Sequence, residues 1–421
     1  MQQSQSPFHF QLTPLSTTFQ QLKHKLEIFF LMLTTHLQNK TPLTIAVIDL
    51  DKTSKYNFDK GYYSLPDESE YFHYTEYTLS SHSHKIAQLL KLSSILYYKL
   101  LNLTSSTKRE LYYHNVDLFK SIDNIDTTIS DLCSVLIIDR LTLPIFPSAK
   151  GLFCGNITLY NSQGNIMNIT NSNITQHKIN LITYEYINEC FYINNNINTY
   201  TLNNGYFILV VEKETLFFNL IENHLFYMKF PNAIVVTGKG FPDLITKVFI
   251  KKLYKLLNCN VPLFYFGDSD PHGFEIFLNY FCGSKGMSRE NEFACLNEMQ
   301  WIGLSREVIM KVNKEGNENV NGLIKLNTKE INKIKGMMQR EYFDLRNWEM
   351  SVNENKENVI RNLTVIYEEL KMMMDNGFKA EGEFLLSQGG EVFVDVVMEN
   401  IIRYSNEVKG GMIINDMYYN P

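Results

Sequence analysis

The sequence has few of the features that mark secreted, membrane-spanning or zinc-binding proteins. Its six cysteines are scattered over 421 residues, and none forms a Cys-x-x-Cys pair, so neither a zinc site nor a redox motif is expected. The most apolar early run, residues 28–33, is much shorter than the roughly 20 residues that cross a bilayer. The first residues do not join a basic segment to an apolar one, so we expect no secretory signal and no membrane partner.

The sequence also lacks an excess of basic residues. It carries 39 Lys+Arg and 45 Asp+Glu, a formal net charge of -6, which taken alone argues mildly against a general nucleic-acid binder. However, residues 341–421 hold 15 acidic and 7 basic residues, a net charge of -8, which leaves a net charge of +2 for residues 1–340. The acidity therefore belongs to the last fifth of the chain and does not exclude DNA as a partner of the rest.

Helical periodicity dominates the first part of the chain. Apolar residues recur every three or four positions over 18–38, 82–103 and 116–137, and a short helix is expected after Thr107. The prolines and glycines of 140–160 predict a β-hairpin with a Gly/Lys tip. Three helices followed by a hairpin are typical of a winged helix-turn-helix, which binds DNA.

The approach to this predicted fold is basic. The stretch 77–109 contains five basic residues and no acidic one. Such a stretch fits binding to the phosphate backbone, which neutralises charge without reading sequence. A solvated helix face explains the same composition equally well.

Short, fully apolar strands alternate with helices after residue 205. Strands are predicted over 206–211, 233–236 and 263–266, each followed by a helical pattern. This alternation indicates a parallel sheet that is covered on both faces. Ligand sites in such sheets lie at the carboxyl ends of the strands.

Three carboxylates follow two of these strands. Glu212 comes directly after the first strand, and Asp268 and Asp270 follow the third. Converging carboxylates repel one another, so a divalent cation is their natural partner, and hard oxygen ligands suit Mg²⁺. The alternative is a set of helix caps and surface acids; Asp270 before Pro271 is a good N-cap.

The residues around these carboxylates resemble a known family. Asp268-Ser-Asp-Pro-His-Gly273 resembles the motif of the Toprim domain found in the A subunit of topoisomerase VI and in its meiotic homologue, the double-strand-break transesterase. Val210-Val-Glu-Lys-Glu214 is similar to the strand end that carries the Toprim glutamate, and Gly238-Lys-Gly-Phe-Pro-Asp243 is similar to a Gly-Lys-Gly-x-Pro-Asp segment. Gly283-Ser-Lys285 and Trp301-Ile-Gly-Leu304 resemble a further stretch of the same family.

The resemblance extends upstream, so that it covers roughly residues 80–305 in family order. Thr107-Lys-Arg-Glu-Leu-Tyr-Tyr113 is similar to the segment around the nucleophilic tyrosine. Ser148-Ala-Lys-Gly151 resembles the wing motif, and Arg140 lies at the matching distance before it.

Two positions depart from the family pattern. Glu110 stands where the family usually has Asp. Thr246-Lys247 stands where the family usually has Thr-Arg, and a lysine there lacks the two-pronged phosphate contact of arginine.

The resemblance implies a covalent mechanism. Tyr113 would attack a DNA phosphate and form a 5′-phosphotyrosyl link, and Arg109, one helical turn earlier, would bind that phosphate together with Lys150. Spacing alone does not separate Tyr113 from Tyr112; the match to the family favours Tyr113.

The resemblance also implies a metal and an assembly. Glu212, Asp268 and Asp270 would hold Mg²⁺, and the tyrosine of one protomer would meet the metal site of the other in a homodimer on double-stranded DNA. An ATPase-type B-subunit-like partner and a nuclear location are expected by the same analogy.

The expected fold class is multidomain α+β and α/β, with a winged-helix (CAP-like) domain followed by a Toprim, Rossmann-like parallel-sheet domain. We divide the chain into an N-terminal extension (1–80), a winged-helix domain carrying the tyrosine (81–160), a linker with edge strands (161–204), and the Toprim domain with a helical, acidic C-terminal part (205–421). The expected activity is that of a type IIB topoisomerase-like transesterase that initiates meiotic recombination.

Three other functions remain open at this point. A topoisomerase VI of the resealing kind shares the cleavage chemistry in its A chain and would also rejoin the DNA. A non-catalytic DNA-binding scaffold would keep the fold alone. A Toprim nuclease would cut with metal and water and would not need Tyr113.

Overall fold

The computed structural model describes residues 19–410, apart from 68–70, 162, 168–177, 189–190, 194–205, 258, 260, 316–321, 350 and 354. Much of the predicted linker, 161–204, therefore lies outside the described residues. The described chain mixes helices with short strands. The helices are α1 (Phe19–Gln38), α2 (Leu50–Thr53), α3 (Leu79–Leu101), α4 (Lys108–His114), α5 (Val116–Phe119), α6 (Ile122–Leu136), α7 (Glu185–Asn188), α8 (Glu214–Glu222), α9 (His224–Lys229), α10 (Leu244–Leu256), α11 (Pro271–Phe281), α12 (Asn291–Ala294), α13 (Arg306–Glu315), α14 (Thr328–Met338), α15 (Lys356–Asn376), α16 (Glu383–Ser387) and α17 (Gly390–Gly410).

The strands are all five residues or shorter. They are β1 (Thr44–Ile48), β2 (Lys55–Asn57), β3 (Tyr62–Ser64), β4 (Tyr74–Thr78), β5 (Ser106–Thr107), β6 (Ile145–Phe146), β7 (Leu152–Gly155), β8 (Leu159–Asn161), β9 (Asn180–Leu181), β10 (Phe191–Ile193), β11 (Phe207–Val211), β12 (Ala233–Thr237), β13 (Leu263–Phe266), β14 (Met299–Trp301), β15 (Leu323–Lys325) and β16 (Phe378–Ala380).

A six-stranded sheet forms the centre of the described structure, in the order β14-β13-β11-β12-β7-β9. Strands β14, β13, β11 and β12 run parallel to one another. Alternate residues of β11 enter two separate apolar cores, with Ile208 and Val210 in one core and Phe207 and Leu209 in the other. Burial on both faces explains the unbroken apolar character of the strand. The predicted parallel pairing is confirmed for β11, β12 and β13, within a sheet that also contains the antiparallel strands β7 and β9.

The β-hairpin predicted over 140–160 is not formed. Strand β6 pairs in parallel with β5, whereas β7 pairs antiparallel with β12 and β9 in the central sheet. Every residue of β7 is buried, because Leu152 and Cys154 enter one core of the sheet and Phe153 enters the other. Gly155 allows close approach, since a Cβ there would lie 2.6 Å from the carbonyl oxygen of Ala233. The winged-helix assignment therefore stays a prediction.

A third core holds the N-terminal helices together. Helices α1, α3 and α6 pack around it, and the predicted apolar stripe of α3 is buried from Ile86 to Leu100. Leu103 was expected to continue this stripe but is 87% exposed, because α3 ends at Leu101 and Leu103 has a positive φ of 51°. The helix expected over 116–137 is divided into α5 and α6 at Lys120, which has a φ of 64°.

The C-terminal part folds back onto the end of the central sheet. Strands β15 and β16 pair antiparallel, and an isolated bridge joins Ala380 of β16 to Ser269. The sequence of 379–386 predicts a helix, but this prediction is wrong at its start, because residues 378–380 form β16 and the helix begins only at Glu383. The apolar pattern of 391–397 fits either a strand or a helix, and in the structure this segment lies within α17.

No helix within the described ranges has the length and apolar character needed to cross a bilayer.

One acid in the C-terminal part is buried away from the strand ends. Glu369 lies in the middle of α15 and is 7% exposed. Its two carboxylate oxygens each lie 3.4 Å from the backbone nitrogen of Arg306 at the start of α13. Burial raises the pKa of Glu369 to about 7, although the Arg306 N–H acts in the opposite direction.

The raised pKa predicts that stability falls with pH. A carboxyl group whose pKa is higher in the folded state stabilises the fold fully below its unfolded pKa, about 4.5, and loses this contribution as the pH rises through the folded value. Wild type should lose about 1–3 kcal/mol of unfolding free energy between about pH 4.5 and 7.5 that Glu369→Gln does not lose. Urea unfolding at several pH values measures this, and parallel pH profiles for the two proteins would contradict it.

Candidate active site: buried carboxylates and an exposed tyrosine

Three buried carboxylates meet where β11 and β13 end. The two strands are neighbours in parallel register, with Val211 opposite Phe266. Glu212 leaves the sheet directly after β11, and Asp268 and Asp270 leave it after β13, all three buried. The structure thus places the three predicted ligands at the ends of two neighbouring strands, and we call them the carboxylate cluster. Their role as metal ligands stays a prediction.

A backbone N–H and a tyrosine hydroxyl hold the first carboxylate in place. Glu212 Oε2 accepts a hydrogen bond of 3.0 Å from the Asp268 backbone N–H and one of 3.4 Å from the Tyr265 hydroxyl. Gly267 leaves room for it, because a Cβ at that position would lie 2.7 Å from Glu212 Oε2. The side chain is therefore held against the opposite strand end with little freedom to move.

The two aspartates are held from both sides. Asp268 Oδ2 lies 2.8 Å from Lys213 Nζ, and Asp268 Oδ1 accepts a 2.7 Å hydrogen bond from the Gly382 N–H. Asp270 Oδ1 caps α11 by accepting a 2.6 Å hydrogen bond from the Gly273 N–H. Asp270 is therefore the N-cap of α11, as its position before Pro271 predicts. Its other carboxylate oxygen, Oδ2, lies 3.4 Å from Lys379 Nζ.

The electrostatics of the cluster favour a bound cation. Burial raises the pKa of Glu212, and the charges of Asp268 and Asp270 raise it further. Burial also raises the pKa of Asp268, while Lys213 acts in the opposite direction. Ionising these groups together is costly unless positive charge is nearby, and Lys213 supplies part of that charge.

The donor set fits Mg²⁺, which prefers carboxylate oxygens. In the described part of the chain, no group of three or more His, Cys, Asp or Glu side chains is arranged so that it could hold a metal ion. Oxygens of Asp268 and Asp270 instead pair with the ammonium groups of Lys213 and Lys379. Each of the two aspartates is therefore already paired with a lysine.

Several residues around the cluster were not predicted to belong to it. Lys213 stands within the quoted Val-Glu-Lys string, but no role was assigned to it. Lys379 and Gly382 reach the aspartates from more than 100 positions away in the sequence. No local pattern signals such contacts, because they depend on how the C-terminal part folds back.

The tyrosine pair lies on the short helix α4. Thr107 and Glu110 form a capping box, in which the Thr107 hydroxyl accepts from the Glu110 N–H at 3.1 Å and Glu110 Oε2 accepts from the Thr107 N–H. Glutamate is the residue that reaches back in this motif. Glu110, which stands where the family usually has aspartate, therefore stabilises the start of the helix.

Tyr113 and Tyr112 have different environments. Tyr113 is 71% exposed, and Arg109 is exposed one turn earlier on the same helix. Tyr112 is half-buried against the N-terminal core, and its hydroxyl donates to the Lys120 carbonyl at 3.4 Å. Exposure therefore leaves Tyr113 better placed than Tyr112 to meet a large substrate.

Lys150 and Lys247 occupy different surroundings. Lys150 Nζ donates to the carbonyl oxygen of Phe241, in the loop between β12 and α10. Lys247 is only 2% exposed and donates to Asn279, at 2.9 Å to the carbonyl and 3.3 Å to the side-chain oxygen, and burial lowers its pKa. Lys247 is therefore shielded from solvent, whereas Lys150 lies beside the loop 238–243 that resembles the family segment.

Two family profiles match the chain. The Toprim-domain profile of the Spo11 and topoisomerase 6 A-chain family matches residues 207–402, and the profile "Type IIB DNA topoisomerase" matches residues 84–145. The first covers the carboxylate cluster and the second covers α4 with Tyr113. Together they define a type IIB topoisomerase-class protein with a Toprim domain, a domain that generally binds metal.

The similarity extends to whole proteins. "Meiotic recombination protein SPO11" of Homo sapiens is 28% identical over 345 residues, covering 79% of this chain and 76% of the relative. "Meiotic recombination protein rec12" of Schizosaccharomyces pombe is 32% identical over 259 residues, covering 61% and 66%. The A chain of DNA topoisomerase 6 of Arabidopsis thaliana is 30% identical over 200 residues, covering 47% and 42%. The chain belongs to the family that comprises the Spo11 proteins and the A chains of topoisomerase 6.

The close packing at Gly267 predicts how sensitive the cluster is. In Gly267→Ala the new methyl group would meet Glu212 Oε2 at 2.7 Å and the Tyr265 ring at 2.5 Å. We expect a loss of about 1–3 kcal/mol in the free energy of unfolding. Gly286→Ala is the matched control, because a Cβ there meets no atom within 4 Å. Equal unfolding free energies for the two variants in urea titrations would contradict the predicted packing.

Proposed function

We propose that this chain forms meiotic DNA double-strand breaks by a topoisomerase-like transesterification and so initiates recombination. The observation that carries the proposal is that one chain contains both of the sites that this reaction needs. Tyr113 is exposed on α4 within the type IIB match, and the carboxylate cluster lies at the strand ends within the Toprim match. The similarity to the human and fission yeast meiotic recombination proteins supports the meiotic role.

In the proposed reaction, the Tyr113 oxygen attacks a DNA phosphorus and the bond from phosphorus to the 3′ oxygen breaks. The phenol loses its proton and the leaving 3′ oxygen gains one, so the products are a 5′-phosphotyrosyl link and a free 3′-hydroxyl. A tyrosine has an ordinary pKa of about 10 and needs help to ionise at neutral pH. Arg109 would supply positive charge beside the attacked phosphate, and Lys150 would bind the phosphate or the neighbouring backbone.

We assign Mg²⁺ to the carboxylate cluster, with Glu212, Asp268 and Asp270 as its protein ligands. When bound, the ion would neutralise phosphate charge and orient the 3′ side of the break. The protein's own contribution is to hold the three oxygens at two adjacent, buried strand ends.

The proposed assembly is a homodimer on double-stranded DNA, in the nucleus. One protomer would present Tyr113 to the carboxylate cluster of the other, and two tyrosines would cut the two strands. The exposure of Tyr113 and Arg109 on α4 supports an external partner for this helix. We further propose a winged-helix role in DNA binding for residues 81–160, and a B-subunit-like, ATPase-type partner that drives dimer closure.

The A chain of a true topoisomerase VI is the second candidate, and the similarity to the Arabidopsis protein favours it. Such an enzyme would relax and reseal DNA with ATP and a B partner. Breaks that persist without resealing in the same assay would support the meiotic function instead. A non-catalytic scaffold would form no covalent product with DNA.

Replacing the nucleophile tests the proposed chemistry. Tyr113→Phe removes the attacking oxygen, so the covalent protein–DNA adduct should fall below detection. Tyr112→Phe, the matched control, should keep the adduct within about threefold of wild type, because its hydroxyl is directed to Lys120. The adduct is measured by denaturing gel after incubation with DNA, Mg²⁺ and the partner. Cleavage that persists in Tyr113→Phe would favour a metal-and-water nuclease.

Removing one ligand tests the metal assignment. Asp268→Asn keeps the shape of the side chain and an acceptor for the Gly382 N–H, but it removes one negative charge from the cluster. We expect adduct formation to fall by about 100-fold or more, and the Mg²⁺-induced rise in Tm to shrink. An adduct yield equal to wild type at the same Mg²⁺ concentration would refute the assignment.

A further inference from the structure

Two lysines occupy the carboxylate cluster in the folded chain. Lys213 Nζ lies 2.8 Å from Asp268 Oδ2, and Lys379 Nζ lies 3.4 Å from Asp270 Oδ2. The Lys379 side chain is 11% exposed and the Lys213 side chain 24% exposed. Water therefore screens these pairs only in part, so each ammonium is an effective counter-charge for its aspartate.

A second set of acids contacts the same two lysines. Lys379 Nζ lies 3.0 Å from Glu330 Oε1 and 3.1 Å from Glu381 Oε1. Lys213 Nζ lies 3.7 Å from Glu381 Oε2 and also pairs with Glu383. Glu381 thus contacts both lysines, and for Lys379 the second set is nearer than Asp270.

This arrangement would allow the two lysines to exchange the aspartates for the glutamates as their ion-pair partners. A buried ammonium without a counter-charge is costly, so a lysine that left an aspartate would need another acid at once. Glu330, Glu381 and Glu383 already stand at that position and belong to no part of the carboxylate cluster. The aspartates can therefore release both lysines without leaving either ammonium unpaired.

We propose that Lys213 and Lys379 are the resident counter-ions of the carboxylate cluster, and that a divalent cation displaces them onto Glu381 and its neighbours. The proposal rests on the proposed role of the cluster as a metal site. It gives Lys379 and Glu381 a positioning role, because they act through the aspartates and the metal. Competition with the lysines sets the cation concentration at which the site fills.

Most residues of the proposed exchange come from one short segment of the C-terminal part. Lys379, Glu381 and Glu383 all lie in the segment 378–383, which also directs the Gly382 N–H to Asp268. This segment starts at β16, whose Ala380 bridges to Ser269 between the two aspartates. Metal occupancy is thereby linked to the position of the C-terminal part.

The test is a Mg²⁺ titration of the full-length chain without DNA, at constant ionic strength, with the rise in Tm as the readout. Lys379→Met removes the competing charge, so the midpoint Mg²⁺ concentration should fall by about three- to tenfold. Lys333→Met is the matched control: it removes the same charge from a lysine whose partners are Glu275 and His272. Its midpoint should stay within about twofold of wild type.

A second variant gives the opposite shift. Glu381→Gln removes the negative charge that would receive the displaced lysines, so the midpoint Mg²⁺ concentration should rise by about threefold. Glu381 is partly exposed, so this variant is expected to fold even if Lys379→Met does not. Lys379→Arg keeps the charge and should restore a midpoint close to wild type.

The outcomes separate the two proposals. If Mg²⁺ stabilises wild type but the Lys379→Met midpoint is unchanged or higher, or if Lys333→Met shifts equally, the counter-ion proposal is overturned. If Mg²⁺ fails to raise the Tm of wild type and of Asp268→Asn alike, the metal assignment itself fails. A lower midpoint in Lys379→Met together with a higher one in Glu381→Gln supports the exchange.

Discussion

The parallel pairing of β11 with β13 is the constraint on which the rest of the site depends. Its register sets Val211 opposite Phe266, so Glu212 and Asp268 leave the sheet side by side. Both strands are buried on both faces, and the two apolar cores oppose any relaxation that would separate the charges. The carboxylates therefore stay close although their mutual repulsion and burial disfavour ionisation. Raised carboxyl pKa values of this kind cluster at functional sites.

Some acids of the C-terminal part have a structural role in this arrangement. Glu381 and Glu383, beside the carboxylate cluster, form ion pairs with Lys213. The same segment supplies a lysine and a backbone N–H to the aspartates. The net charge of the whole chain is thus a poor guide to its partners, because acids that pair internally do not repel DNA at the surface.

The sequence predicted those features that depend on neighbours in the chain. Apolar strands ending in carboxylates located Glu212 and Asp268 at adjacent strand ends. The ordered motifs singled out Tyr113, whose role as the nucleophile stays a prediction. The prediction of a hairpin over 140–160 is wrong because prolines and glycines mark where a strand turns but do not reveal which strand it pairs with. Lys379 escaped notice for a similar reason: its contact with Asp270 spans more than 100 residues. Partner choice over such separations is decided by packing, which no local pattern encodes.

The position of β7 bears on how the protein is made. Strand β7 (residues 152–155) lies beside β12 (residues 233–237), about 80 residues later in the chain. On the ribosome, which synthesises from the N-terminus, β7 emerges well before the strand that covers it. The N-terminal helices have their own core and can form early, whereas the sheet must wait until β12 is translated. A fragment that begins at β11 would likewise leave β12 with an open, apolar edge, which is a template for aggregation.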